Sequence, residues 1–261
     1  GAMTQFSAIG GAGGIMNIHT GEIISMTSLP QLNPNDAGNG SAEARFNRAT
    51  LGVYELGSTF KPFTVAMAMD KGTVKSVGQM YPCPRELHVA NRVIHDTHPF
   101  GRACSVAEIM MESSNIGAAE IAEQVGAATQ KAFLKKMGFL DKVGIELRER
   151  GRTLTPGANW GPFEVMNVGF GQGIAVTPLH LATGYATLFN GGIYRPATLL
   201  RIDRAAAEFP AQVRSLRAIA QEHGENAQLL RDCVRRAGGE ADDSSGAWGV
   251  YVKTIEGVAK I

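Results

Sequence analysis

The stretch "YELGSTFKPFT", Tyr54–Thr64, decides how the rest of the chain is interpreted. It places Ser58 three positions before Lys61, and Pro62 follows the lysine directly. From residue 58 to residue 71 the apolar residues recur at helical spacing, which predicts a helix over that range. Proline is tolerated only near the start of a helix, where its missing N–H costs little. The pattern therefore predicts that Ser58 lies in the first turn, at or beside the N-cap.

Two interpretations of Ser58 follow from that position. A serine at a helix start is usually a cap that accepts a backbone N–H. Residues i and i+3 share one helix face, however, so Lys61 can reach the Ser58 hydroxyl. A lysine whose pKa is lowered can act as a base, and a helix N-terminus offers positive potential and a free N–H to an oxyanion. The tetrapeptide alone does not decide between a cap and a nucleophile.

Two further motifs that could contribute to nucleophilic serine chemistry lie downstream of Ser58. "SSN", Ser113 to Asn115, falls at the break between two predicted helices, where its alternative interpretation is an ordinary N-cap. "VKTIEGVAK" lies on a predicted late strand and contains Lys253 and Thr254, which could also be an ordinary edge-strand pair. A trio of the form S-x-x-K, S-D-N and K-T-G is known in class A β-lactamases and penicillin-binding proteins. Together the three motifs favour such an enzyme far more than any of them does alone.

The segments around these motifs extend the similarity over almost the whole chain. "NRATLGVYELGSTFKPFTVAMAMDKG" and "HDTHPFGRACSVAEIMMESSNIG" resemble the penicillin-binding protein transpeptidase domain, and most closely its class B, FtsI-like septal type. Helices dominate the middle of the chain and strands its two ends, which predicts an α+β domain. The resemblance implies a penicillin-binding-protein/β-lactamase-like fold. Its antiparallel sheet would be formed by the chain ends, with helices on both faces and an all-helical subdomain.

The resemblance implies a catalytic role for three residues. Ser58 would attack the carbonyl of a D-Ala-D-Ala peptide and form an acyl-enzyme. Lys61 would take the serine proton, and Ser113 would help pass it to the leaving D-Ala. A second peptide's amine would then resolve the acyl-enzyme into a peptidoglycan cross-link.

The resemblance implies a substrate-binding role for three more residues, and here the pattern departs from the family. Asn115 would bind the donor's amide, and Lys253 with Thr254 would recognise the terminal carboxylate that β-lactams mimic. The family continues K-T-G-T, whereas Ile255 stands here in place of the glycine, and its side chain would obstruct a substrate lying on the strand. In a second register, "GVAKI" is the family's continuation, and Ile255-Glu256 is inserted or replaces the Lys-Thr pair.

Three functions are therefore considered. The first is a serine D,D-transpeptidase that cross-links peptidoglycan during cell division and is a target of β-lactams. The second is a non-catalytic penicillin-binding-like scaffold, which the altered third motif favours. The third is a β-lactamase or β-lactam sensor, which the spacing of Glu164 and Asn167 disfavours because it is one residue shorter than that of a deacylating glutamate loop.

The resemblance also sets expectations for boundaries, partners and location. Residues 1–3 look like a tag remnant and 4–261 like the transpeptidase core, with two C-terminal strands and a helix expected to be missing, so that the sheet is incomplete. Stem peptides, β-lactams and divisome proteins are the expected partners, and an inner-membrane anchor is expected to hold the domain in the periplasm. The net charge of +1 gives no reason to expect nucleic acid binding, and no cofactor or metal is expected.

The cysteines and a histidine pair leave two smaller questions. Of the three cysteines, none forms a CxxC pair, and three free buried thiols are the favoured interpretation. A Cys83–Cys104 disulfide is the alternative in an oxidising compartment. "HDTH", from His95 to His98, is interpreted as a hydrogen-bonding loop and not as a metal site, because no third ligand cluster is visible.

Overall fold

A computed structural model describes residues 2–200 of the chain. Its first main element is an antiparallel hairpin of β1, Gly11–Met16, and β2, Ile23–Leu29. Gly21, with φ of 80°, supplies the left-handed conformation in the connecting turn. Apolar segments at 13–18 and 22–28 on either side of "HTG" predict a β-hairpin, and the structure confirms it, with β1 beginning two residues earlier than expected. The predicted pairing of this hairpin with strands near the chain end falls outside the described residues.

Helices are the most numerous of the remaining elements in the described residues. The first two are single turns, α1 (Ala2–Gln5) and α2 (Ala42–Arg45). The others are α3 (Lys61–Lys71), α4 (Val106–Met111), α5 (Asn115–Val125), α6 (Ala127–Lys136), α7 (Pro162–Gly169) and α8 (Pro178–Phe189). Besides the helix at 58–71, the sequence predicts a helix from residue 105 towards 112, one that ends near 126, one at about 128–137 and one from 177 to 190. Helices α4, α5, α6 and α8 confirm these predictions, whereas α2 and α7 were not predicted. The sequence also predicts a helix at about 218–236, and this range and the predicted late strand lie outside the described residues. None of the described helices is long and apolar enough to cross a membrane.

The predicted helix at 58–71 consists of two parts. A 3₁₀ turn, Gly57–Phe60, leads directly into α3, and Pro62 lies at the start of the α-helix. The left-handed Gly72, with φ of 77°, ends it. Ser58 lies in the 3₁₀ turn, where neither helical segment has a side-chain cap. The capping interpretation of Ser58 is therefore wrong, because its hydroxyl has another partner.

An aromatic core fixes the start of α3. Phe60, Phe63 and Phe139 are almost fully buried, and their ring centroids lie 4.9–5.4 Å apart in tilted or edge-on pairs. A second apolar cluster lies between α3, α4 and α5. Gly117 on α5 packs against Ile109 so closely that a Cβ would come within 2.4 Å of that side chain. These contacts bury α5 between its neighbours and make it a rigid support.

Two short strand pairs lie between α3 and α4 in the chain. They are the pair of β3 (Met80–Tyr81) and β6 (Cys104–Ser105) and the hairpin of β4 (Glu86–Val89) and β5 (Arg92–His95). A disulfide joins Cys83 to Cys104. The favoured expectation of free thiols is thus wrong for these two cysteines, because the pairing of β3 with β6 brings them together. Cys233 lies outside the described residues.

The helix starts after this region show the capping predicted from the sequence. Ser105 and Glu108 form a reciprocal capping box at α4, as "SVAE" predicts. Thr177 caps α8, where Pro178 is the first helical residue. Ser114 caps α5 through the N–H of Gly117, which places "SSN" at the predicted break between two helices.

Candidate active site

Lys61 lies between two serine hydroxyls. Its ammonium Nζ is 3.0 Å from the Ser58 Oγ and 2.9 Å from the Ser113 Oγ, and it also donates to the Ser113 carbonyl oxygen. Ser58 reaches it from one turn earlier on the same helix face, whereas Ser113 comes from the distant α4–α5 junction. The structure thus brings these three predicted site residues into one hydrogen-bonded group.

The environment of Lys61 stabilises its neutral form relative to that of a lysine exposed to water. Only 2% of Lys61 is exposed, although both serines are exposed on the surface. Burial lowers the pKa of Lys61 from 10.5 to about 8, against the opposing attraction of the Asp96 carboxylate. A lysine with a pKa near 8 has a usable neutral fraction close to neutral pH and can accept a proton from a hydroxyl. The group therefore has the features of a nucleophile beside its base.

Tertiary contacts hold the turn that carries Ser58. The Gly57 N–H donates to the Gly171 carbonyl at 3.1 Å, and the Tyr185 hydroxyl donates to the Thr59 carbonyl at 2.8 Å. Gly171, with φ of 82°, lies so close that a Cβ would come within 2.0 Å of the Gly57 oxygen. The segment after α7 therefore packs directly on the backbone of the 3₁₀ turn, and no side chain fits between them.

Ser113 occupies an unusual backbone conformation. Its φ is 56°, in the left-handed region that non-glycine residues seldom adopt. The residue lies between the C-cap of α4, Glu112, and the N-cap of α5, Ser114. This conformation turns the chain between the two helices and lets both the hydroxyl and the carbonyl of Ser113 accept from Lys61. Such local strain persists only where the surroundings hold it in place.

Asp96 supplies much of that support, and the sequence analysis did not assign it a role in the site. Its Oδ2 accepts from the Ser114 hydroxyl at 2.6 Å, and its Oδ1 accepts from the backbone N–H groups of Asn115 and Ile116. The neighbouring His95 carbonyl accepts from the Asn115 side-chain amide at 2.9 Å. "HDTH" is thus a hydrogen-bonding loop, as predicted. Among residues 2–200, no three His, Cys, Asp or Glu side chains are grouped so that they could hold a metal ion.

A cleft of about 400 Å³ opens beside this group. Its lining includes Ser58, Asn115, Asn167 of α7 and Gln172. Asn115 thus faces the same space as the Ser58 hydroxyl. The lining also includes Phe163 and Phe170, which gives the cleft both amide and aromatic surface. The cleft has the mixed apolar and hydrogen-bonding character that a peptide requires.

Four of the six predicted site residues therefore lie together, and the other two cannot be placed. Lys253 and Thr254 lie outside the described residues. The sequence analysis missed the contribution of α7, which brings Asn167 to the cleft. Its signal was a proline start, "GPFEVMN", followed by apolar spacing. Glu164 of the same helix lines a different pocket, beside the β4–β5 hairpin.

Comparison with protein families gives a match over nearly the whole chain. The model described as "Penicillin binding protein transpeptidase domain" matches residues 11–260. The matched range includes Ser58, Lys61, Ser113 and Asn115, and it extends through Lys253.

Individual proteins give the same result. The chain is 37% identical over 201 residues to a probable peptidoglycan D,D-transpeptidase FtsI of Caulobacter vibrioides, covering 77% of this chain and 34% of the relative. It is 29% identical to the peptidoglycan D,D-transpeptidase FtsI of Escherichia coli, covering 74% and 32%. The chain thus spans about a third of the length of the curated relatives it matches. The TP domain of Burkholderia pseudomallei penicillin-binding protein 3 has a TM-score of 0.68 at 25% identity, covering 78% of this chain and 57% of that one.

Proposed function

This chain belongs to the penicillin binding protein transpeptidase domain family, and on that premise we propose that it carries the acyl-transfer site of a class B peptidoglycan D,D-transpeptidase. The solved relative agrees with the predicted penicillin-binding-protein-like α+β fold. The single observation that carries the proposal is the position of the buried Lys61 Nζ between the Ser58 and Ser113 hydroxyls. A capping serine and a surface lysine would not show it.

The proposed acylation step uses these three residues. Neutral Lys61 accepts the Ser58 proton as Oγ attacks the carbonyl carbon between the two D-alanines. The tetrahedral intermediate then collapses, the C–N bond breaks, and the acyl group stays on Ser58. The proton passes from Lys61 through the Ser113 hydroxyl to the nitrogen of the departing D-alanine. The amine of a second stem peptide next attacks the ester carbonyl and gives a proton to Lys61. The ester C–O bond then breaks as the new peptide bond forms, and Ser58 Oγ regains a proton from Lys61.

The helical turn at Ser58 supports charge stabilisation in this step. The first N–H groups of a helical turn have no partner inside it, and Ser58 lies in such a turn. We assign the Ser58 N–H to the oxyanion hole, where one well-placed donor contributes on the order of 10²-fold or more in rate. A second N–H is assigned to the late strand around Lys253, by resemblance to the family.

The substrate and its binding residues follow from the same premise. Asn115 lines the cleft beside Ser58 and would hold the donor peptide's amide. Lys253 and Thr254 are assigned to its terminal carboxylate, which a β-lactam mimics. The parent protein is proposed to act in cell division with divisome partners, anchored in the inner membrane with this domain in the periplasm. The domain is proposed to occupy 4–261, after a tag remnant at 1–3.

A scaffold function is the second candidate, and Ile255 is the observation that favours it. Isoleucine in place of the family's glycine would hinder a substrate on that strand. In this case the Ser58 group would be present but would not acylate.

A fluorescent penicillin separates the candidates. The chain is incubated with the reagent across pH 6–9, and the adduct is measured by intact mass. A stable adduct is expected on wild type and on Ser76→Ala, an exposed-serine control, but not on Ser58→Ala. Its formation rate should rise with pH with a midpoint near 8, since neutral Lys61 is the base. No adduct at saturating reagent would favour the scaffold, and rapid release of hydrolysed drug would indicate a β-lactamase.

A further inference from the structure

Asp96 makes more contacts with the Ser113–Asn115 turn than its place in a surface loop suggests. It follows β5 directly, and its two carboxylate oxygens accept from three donors at the start of α5. One donor is the hydroxyl of Ser114, and two are backbone N–H groups. A carboxylate that accepts several such bonds at a helix N-terminus is also favoured by the helix dipole. The start of α5 therefore favours a negatively charged acceptor at the position of the Asp96 carboxylate.

The three donors lie on the same turn as Ser113, whose hydroxyl contacts Lys61, and Asn115, which lines the cleft. Ser113 lies immediately before the bonded serine and has the strained φ of 56°. Asn115 is held twice, through its backbone N–H by Asp96 and through its side-chain amide by the His95 carbonyl. A shift of the carboxylate would therefore move the Ser113 hydroxyl and the Asn115 amide together.

The same carboxylate acts on the base. Its negative charge favours the protonated form of Lys61 and raises the pKa of Lys61 against the effect of burial. Among the described residues, Asp96 is the charged group that acts on the pKa of Lys61. The cleft beside Lys61 is also lined by His95. Asp96 thus contacts the Ser113–Asn115 turn and also raises the pKa of Lys61, the proposed proton acceptor.

We propose that Asp96 is a positioning residue of the acyl-transfer site, which holds the Ser113–Asn115 turn against Lys61 and the cleft. This inference rests on the proposed function. Asp96 is not among the residues that line the cleft beside Ser58. It acts through Ser113, which relays the proton, and through Asn115, which binds the peptide.

The test replaces Asp96 with asparagine, which keeps the shape but removes the charge and one acceptor. The plateau rate of penicillin acylation is expected to fall on the order of tenfold or more, because charge-assisted hydrogen bonds to the turn are lost. The pH midpoint of acylation should also move below about 8, because the carboxylate no longer favours protonated Lys61. A purely structural role would lower the rate without moving this midpoint. Asp70→Asn, which removes an exposed carboxylate at the end of α3, is the matched control and should change neither.

Two measurements do not depend on activity. Amide exchange at Asn115 and Ile116 should quicken at least tenfold in Asp96→Asn, and the NMR titration of Lys61 should shift to lower pH. If wild type forms no adduct, the proposed function fails, and these two measurements then decide only whether Asp96 holds the Ser113–Asn115 turn and acts on Lys61. Unchanged exchange, or an unchanged acylation plateau and midpoint in a reactive protein, would overturn it. If Asp96→Asn does not fold, Asp96→Glu keeps the charge and should lower the plateau while leaving the midpoint near that of wild type.

Discussion

The two serines that contact Lys61 are placed by different kinds of structure. Ser58 lies one turn before Lys61, and buried aromatic rings of Phe60, Phe63 and Phe139 fix that helix start. Ser113 lies on a strained turn held by Asp96, by Lys61 itself and by a segment that a disulfide closes. The Ser58 half depends on local helix geometry, apolar packing and close backbone contact with the segment after α7. The Ser113 half depends on long-range hydrogen bonds to the Asp96 carboxylate and to Lys61. The two halves should therefore respond differently to substitution.

Replacing the residue that joins the halves should have the largest effect. Lys61→Met removes the proposed base, and acylation of Ser58 should fall by roughly a thousandfold. The melting temperature should stay the same or rise, since a buried cation is replaced by an apolar chain of similar length. Lys71→Met, at the exposed end of α3, is the control for both measurements. Acylation of Lys61→Met at the wild-type rate would remove Lys61 from the mechanism.

Removing the disulfide should affect the Ser113 half selectively. Cys83→Ala with Cys104→Ala should lower the free energy of unfolding by about 3 kcal/mol, because the bridge closes a segment with a sequence separation of 21. Urea unfolding measures the loss. Amide exchange should increase at Ser114–Ile116 more than at Ser58–Lys61, since the closed segment includes Asp96. Equal increases in both places would show that the two halves are not independent.

Crowding the backbone behind Ser58 should damage the other half. Gly171→Ala combines an unfavourable φ of 82° with a contact of 2.0 Å to the Gly57 oxygen, and should cost about 2 kcal/mol or more. Gly72→Ala has a similar φ of 77° but open space around it, and should cost about 1 kcal/mol. Both values come from urea unfolding. Only Gly171→Ala should also slow acylation, and equal effects of the two variants would contradict a role for close backbone packing.

A change in the helix before Ser113 should have the smallest effect. Ser105→Ala removes the capping box of α4 and should cost about 1 kcal/mol in urea unfolding. The cost should appear mainly as faster amide exchange in α4, leaving Ser58–Lys61 unchanged. Ser76→Ala, an exposed serine outside any cap, should leave stability within about 0.5 kcal/mol of wild type. A larger effect at Ser58–Lys61 than in α4 would contradict the separation of the halves.

Local signals predicted the elements correctly where neighbours in the chain decide the structure. The start and end of α3, the capping box at Ser105 and the Thr177–Pro178 helix start all depend on residues within one or two turns. Helix α7 was missed because it is short and its last residues, 167–169, belong to "NVGFGQG", which was interpreted as a glycine-rich connection. Free thiols were favoured over the disulfide because strand pairing, and not spacing, brings Cys83 to Cys104.

The sequence by itself determined that Ser58 and Lys61 share a helix face, because positions three apart on a helix must lie together. It also determined the family, because the motifs at Ser58–Lys61, Ser113–Asn115 and Lys253-Thr254 follow one another in the order known for that family. Only the tertiary structure decided that Lys61 is buried, that its pKa is near 8, and that Asp96 holds the Ser113–Asn115 turn. Desolvation and long-range hydrogen bonds depend on which distant segments meet, and no local pattern encodes that directly.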